Sequence, residues 1–68
     1  MTLAKIVAAN LKSNRVRRGL TQEGFARAAK ISVSYVSMLE RGTRIPPLEM
    51  IDELAKALGV KALDMLRR

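Results

Sequence analysis

The chain has 68 residues, of which 13 are Lys or Arg and 6 are Asp or Glu, and it contains neither His nor Cys. Such a length allows a single domain. The absent residue types exclude disulfides, thiol or imidazole catalysis and zinc sites of the usual ligand types, so no enzyme, metal or cofactor is expected. The formal net charge of +7 predicts an anionic partner, either nucleic acid or a membrane surface.

Hydropathy separates the remaining classes of protein. A hydrophobic fraction of 49% is too high for a disordered basic tail. No apolar run is long enough to span a bilayer, and the N-terminus lacks the apolar stretch of a signal peptide, so we expect a cytoplasmic protein. A membrane-active cationic helix is disfavoured, because the basic residues do not form one face opposite a continuous apolar face.

The basic residues are unevenly distributed. Residues 1–47 contain nine Lys or Arg against Glu23 and Glu40, whereas residues 48–68 contain four residues of each sign. The whole excess of positive charge therefore lies in the first two-thirds of the chain. The neutral remainder is better suited to contact with another protein than with a polyanion.

The spacing of apolar residues predicts an all-α fold with five helices, at about residues 3–18, 22–29, 33–41, 48–58 and 61–66. Thr21 and Ser32 are suitable N-caps for the second and third helices. Gly42 stands where a left-handed C-cap belongs, and Lys30 must make the turn between the second and third helices.

Two of the predicted helices each place one charge on their inner side. In the first helix an apolar stripe continues to Arg15; its members are Leu3, Ile6, Val7 and Leu11. In the third helix Glu40 lies at the edge of the inner arc. A buried charge requires a partner, so we predict a structural ion pair between Arg15 and Glu40; the alternative is that Arg15 extends to solvent.

Residues 21–41 have the organisation of a helix-turn-helix, with two short helices, a tight turn and a small residue, Ala26, where the helices cross. Together with Leu20-Thr21-Gln22-Glu23, Leu39-Glu40-Arg41-Gly42 and a Pro followed by an apolar helix, this window resembles the phage-repressor (Cro/repressor-type, xenobiotic-response) helix-turn-helix family. The resemblance covers about residues 6–60 and is greatest to small stand-alone restriction–modification controller proteins.

The resemblance implies a compact five-helix repressor-like domain covering residues 1–68, in which residues 48–67 serve the core and dimerisation. Three positions depart from the family pattern: Lys30 replaces the usual turn Gly, Gly24 an acidic residue, and Pro47 the Ser or Thr that caps the fourth helix. Each departure predicts modest stability, and a left-handed Lys30 costs about 1 kcal/mol.

By resemblance, the third helix enters the major groove of double-stranded DNA. Gln22 and Ser32 would bind phosphate, and the Tyr35 hydroxyl would reach a phosphate unless Tyr35 is only a packing residue. Arg41 and Arg44 would bind the backbone or a flanking base; the alternative for Arg41 is that it only interacts favourably with the C-terminus of its helix. The residues expected to face base edges are Val33, Ser34, Ser37 and Met38, and those forming a basic rim are Lys12, Arg17 and Arg18.

The C-terminal apolar residues exceed what a small core needs, so we predict a two-fold homodimer interface built from Ile51, Leu54, Leu58, Val60, Leu63 and Leu66. The leading hypothesis is a sequence-specific transcriptional regulator that binds an inverted-repeat operator as a homodimer. An antitoxin, or another module that uses the same fold to bind a protein partner, is the alternative.

Overall fold

Five α-helices and no strand make up the computed structural model, which describes residues 1–68. The helices are α1 (Leu3–Arg17), α2 (Gln22–Ala29), α3 (Val33–Arg41), α4 (Leu48–Leu58) and α5 (Ala62–Leu66). The all-α prediction is confirmed, and each predicted boundary is within one residue of the observed one. None of these helices combines the length and apolar character that crossing a bilayer requires.

Local hydrogen bonds at the turns define where α2 and α3 begin. The Thr21 hydroxyl accepts from the backbone N–H of Gly24 at 2.9 Å, and the Ser32 hydroxyl accepts from that of Tyr35 at 3.1 Å. Between the two helices Lys30 has φ 60° and ψ 44°, the left-handed conformation that the turn was predicted to require. The second and third helices are therefore joined by a tight, capped turn.

The core lies between the inner faces of α1 to α4 and is closed by α5. Phe25 of α2 and Met65 of α5 are both fully buried. The other fully or almost fully buried apolar side chains are Val7, Ala8, Leu11, Ala26, Val36, Leu39, Ile51, Leu54, Ala55 and Leu58. This core holds α3 through one side only, which leaves its opposite side free.

Leu3, which belongs to the predicted stripe of α1, lies outside the core, as does Leu48 at the start of α4; Ile6 of the same stripe is only half-buried. Leu3 is 49% exposed and Leu48 is 75% exposed. Each is the first residue of its helix, whereas full burial begins only at Val7 in α1 and at Ile51 in α4. The helical periodicity was correct, but the packed region starts one turn later than the stripe.

The predicted dimer interface also needs correction. Ile51, Leu54 and Leu58 are at most 1% exposed, because α4 turns these side chains into the core of its own protomer. They are unavailable to a second copy. Among the other predicted interface residues, Val60 and Leu66 are half-buried and Leu63 is exposed.

Candidate nucleic-acid interface

The outer face of α3 is polar and accessible. Its inner face is anchored by Val36 and Leu39, which are at most 2% exposed. Val33 and Ser34 are exposed near its N-terminus, and the exposed Arg41 lies in its last turn. The helix is thus fixed on one side while the other is open to a partner.

Two of the predicted base-facing residues are less open than expected. Ser37 and Met38 are half-buried. The hydroxyl of Ser37 accepts a hydrogen bond from Nη1 of Arg41 at 3.2 Å, across one turn of the helix. This hydrogen bond orients the guanidinium on the outer face of α3. Nε and Nη2 of Arg41 take no part in it and remain available as donors.

A shallow groove extends the outer face of α3 toward the following loop. It encloses about 640 Å³, and its lining residues are Tyr35, Met38, Leu39, Arg44, Ile45, Pro46, Pro47 and Leu48. The structure therefore brings three predicted contact residues, Tyr35, Met38 and Arg44, to one place. Arg44 itself is exposed at the rim of this groove.

Arg15, Glu40 and Gln22 form one hydrogen-bonded network behind α3. Arg15 Nε donates to Glu40 Oε2 at 2.7 Å and Arg15 Nη2 to Glu40 Oε1 at 3.1 Å, while Nη1 donates to the Leu20 carbonyl at 2.9 Å. Gln22 Nε2 donates to the same Glu40 Oε1 at 3.1 Å. The hydrogen bond to Glu40 raises the pKa of Arg15, so the guanidinium stays charged.

The network also orients a predicted phosphate-binding residue. Gln22 is the first residue of α2 and is half-buried beside the C-terminal turn of α3. One amide proton of its side chain is committed to Glu40. The second proton remains available to an anion.

Two residues of the predicted basic rim, Arg17 and Arg18, form hydrogen bonds within the protein. Arg17 Nη1 donates to Asn14 Oδ1 at 3.2 Å, and Arg18 Nη1 donates to the Leu58 carbonyl at 3.2 Å. Arg18 therefore sits over the C-terminal end of α4, where a cation interacts favourably with the helix dipole. Lys12 is exposed on α1.

Two side chains of α1 have roles that sequence reasoning missed. Lys5 Nζ donates to the backbone carbonyl of Arg41 at 3.0 Å. Asn10 Nδ2 donates to the carbonyls of Met65 at 2.8 Å and Arg67 at 2.7 Å, which fastens the end of α5. Both contacts join segments that are far apart in the chain, so no local pattern could have indicated them.

The α5 segment presents an apolar edge with charged neighbours. Leu63 is 71% exposed, with Val60 and Leu66 half-buried nearby in the chain. Asp64 pairs with Arg67 and accepts from the backbone N–H of Lys61 at 3.0 Å. These hydrogen bonds, that with Arg67 foremost, lower the pKa of Asp64.

A capped two-helix unit with an anchored inner face and an accessible polar outer face defines a helix-turn-helix DNA-binding domain. The family model described as "Helix-turn-helix" matches residues 11–65. The chain therefore belongs to the helix-turn-helix family. Its relatives in this family are transcriptional regulators, so the chain is a DNA-binding protein of this class and not an enzyme.

Comparisons with individual proteins agree. The uncharacterized HTH-type transcriptional regulator YazB of Bacillus subtilis is 41% identical over 59 residues, which cover 87% of this chain and 86% of the relative. The crystal structure of the hypothetical transcription factor NHTF from Neisseria matches this structure with a TM-score of 0.92 at 36% sequence identity. The matched region covers 97% of this chain and 76% of the Neisseria chain.

The restriction–modification controller protein C.AhdI from Aeromonas hydrophila is also similar, with a TM-score of 0.85 at 32% identity, covering 91% of this chain and 94% of its own. The resemblance to the repressor-type family and to controller proteins, made from sequence, is confirmed.

Proposed function

We propose that the protein is a sequence-specific transcriptional regulator that acts in the cytoplasm and binds an inverted-repeat DNA operator as a homodimer, with α3 in the major groove of each half-site. The observation that carries this proposal is the division of α3 between a buried inner face and an accessible outer face. The inner face, at Val36 and Leu39, is locked into the core. A helix held in this way can enter a groove without losing its orientation.

Phosphate binding is supported at the two helix N-termini. The Ser32 hydroxyl accepts from a backbone N–H of α3, and its own proton is free to donate to a phosphate oxygen. The second amide proton of Gln22 is available at the start of α2. Arg44, and Arg17 at the rim, supply charge, whereas Arg18 must leave the Leu58 carbonyl before it can reach DNA.

Base contacts fall to the outer face of α3. Val33 and Met38 suit thymine methyl groups, and Ser34 and Ser37 can donate to or accept from several bases. Arg41 presents the donor pattern that reads guanine, with its orientation set by Ser37. Tyr35 lines the groove beside Arg44, and its hydroxyl would bind the DNA backbone there.

Dimerisation is supported by three apolar residues in or just before α5, namely Val60, Leu63 and Leu66. Leu63 is exposed and the other two are half-buried, and the C-terminal third carries no net charge to oppose the pairing of two copies. Two copies joined there would present their α3 helices to half-sites about 34 Å apart.

Selection of binding sites from random double-stranded DNA, with light scattering on the same preparation, tests the proposal. We expect an inverted repeat and a mass of two chains. Ser34→Ala and Ser37→Ala should change the selected bases, whereas Arg44→Ala should weaken binding to all sequences and reduce the salt slope by about 1.

Sequence-indifferent binding that is lost at moderate salt would contradict the proposal. Copurification of a stoichiometric protein partner without any selected DNA would instead favour the protein-interaction alternative. Unchanged base preference in both serine variants would show that the outer face of α3 does not read the bases.

A further inference from the structure

Lys5 contacts the end of α3 in two ways. Its ammonium group donates to the backbone carbonyl of Arg41 at 3.0 Å. Its aliphatic stem passes over Gly42, so closely that a Cβ at that position would lie 2.9 Å from Cδ of Lys5. Polar and apolar parts of one side chain thus hold the same turn of backbone.

Arg15 holds that turn from the other direction. Lys5 and Arg15 are ten residues apart in α1, which separates their backbones by about 15 Å. Their side chains nevertheless reach adjacent residues of α3, Arg41 and Glu40. The last turn of α3 is therefore fastened to α1 from both sides.

The charge of Lys5 suits this position. The final carbonyls of a helix lack intrahelical partners and form the negative end of its dipole, so a cation there is favourable. The side chain of Arg41 is directed to Ser37 on the outer face and leaves its own backbone carbonyl to Lys5. No acidic side chain pairs with Lys5.

We propose that Lys5 is a positioning residue for sequence-specific DNA recognition, which acts by fixing the last turn of α3 and not by binding DNA. That turn carries Arg41 and leads into the loop with Arg44, so its placement decides whether both guanidinium groups meet their targets. This inference rests on the proposed function, because it assigns Lys5 a part in the same DNA-binding surface.

The test compares Lys5→Met, Lys5→Arg and Lys56→Met in the full chain. Lys5→Met keeps the stem over Gly42 but removes the donor. Lys56→Met removes an equal charge from an exposed α4 residue that lies outside the proposed DNA-binding surface and pairs only with the exposed Asp52 and Glu53. We expect Lys5→Met to weaken binding to the selected operator about fivefold. Binding to unrelated DNA should weaken no more than in Lys56→Met, and Lys5→Arg should restore operator affinity.

The salt dependence separates positioning from direct contact. A positioning residue leaves the slope of log Kd against log salt as in Lys56→Met. If Lys5→Met instead lowers that slope by about 1 relative to Lys56→Met and weakens both DNAs equally, Lys5 binds phosphate and the proposal is wrong. Equal operator affinity in Lys5→Met and Lys56→Met would overturn it as well.

Amide hydrogen exchange distinguishes failure of this inference from failure of the proposed function, because it needs no DNA. The N–H of Gly42 donates to the Leu39 carbonyl at 3.2 Å. Its exchange should accelerate in Lys5→Met and stay at the wild-type rate in Lys56→Met. Unchanged exchange in Lys5→Met would refute the role of Lys5 whether or not the wild type selects an operator.

Discussion

The guanidinium of Arg15 and the carboxylate of Glu40 form a bidentate ion pair. Its two hydrogen bonds, of 2.7 and 3.1 Å, join the C-terminal half of α1 to the last turn of α3. Their side chains are only 11% and 6% exposed. The carboxylate also accepts from Gln22, so one acidic group organises three helices. Because both side chains are largely buried, removing either charge would leave the other without a partner in the protein.

Glu40→Gln should therefore destabilise the protein by about 3 kcal/mol, because it leaves the charge of Arg15 without its partner. Urea unfolding followed by circular dichroism measures the change. The double variant Arg15→Met, Glu40→Leu should lose less than Glu40→Gln, since neither charge remains. A loss below about 0.5 kcal/mol in Glu40→Gln would show that the pair is not a structural requirement.

Lys30→Gly should stabilise the protein by about 1 kcal/mol and raise Tm by about 5 °C, because Lys30 occupies a left-handed conformation that Gly adopts without strain. Lys30→Ala is the matched control, since it removes the same charge and keeps the Cβ. Equal melting temperatures in the two variants would attribute any gain to charge and not to backbone strain.

Gly42→Ala and Gly19→Ala together separate backbone strain from packing. Both glycines have nearly the same φ, 73° and 72°, but a Cβ at Gly42 would meet Lys5 Cδ at 2.9 Å and Ala8 Cβ at 3.1 Å, whereas one at Gly19 would meet nothing within 4 Å. Gly19→Ala should cost about 1 kcal/mol and Gly42→Ala about 3 kcal/mol in unfolding free energy. Equal costs in the two variants would mean that Lys5 and Ala8 of α1 shift to accommodate the Cβ added at Gly42.

Leu63→Ser should weaken dimerisation at least about tenfold without lowering the melting temperature of the monomer, because Leu63 is exposed on the proposed interface. Leu48→Ser is the control, as Leu48 is similarly exposed, at 75% against 71%. Sedimentation equilibrium measures dimerisation in both variants. Dissociation caused by Leu48→Ser instead would move the interface to the groove at the end of α3.

Stability should fall in acid through the protonation of Asp64. Asp64 has a lowered pKa in the folded state, owing first to Arg67 and then to the backbone of Lys61. Its contribution is therefore complete above its unfolded pKa and is lost as pH falls through the lower, folded one. The chain has no His or Cys to titrate near neutrality.

Thermal melts at about pH 3 and about pH 6 measure this effect. Asp64→Asn should be less stable than the wild type at about pH 6 and should narrow the difference in Tm between the two pH values. An unchanged difference would assign the acid dependence to other carboxylates.

Much of the domain was predictable from residues close in the chain. The caps Thr21 and Ser32 and the left-handed Lys30 depend on contacts within about one helical turn, and the apolar spacing within α3 indicates which of its faces is buried. The pairing of Arg15 with Glu40 was also predictable, because residues 1–47 contain only one other acidic side chain, Glu23. The helical periodicity and the small number of acidic residues that could pair with Arg15 were enough to predict these features.

The tertiary structure alone decided which apolar side chains of the C-terminal third serve the protomer. Ile51, Leu54 and Leu58 have the same helical spacing whether they face a core or a second copy, and only the crossing of α4 with its neighbours buried them. The bonds from Lys5 and Asn10 to distant carbonyls were likewise invisible in the sequence. Spacing along the chain determines which residues share a helix face, whereas the packing of whole helices determines what that face meets.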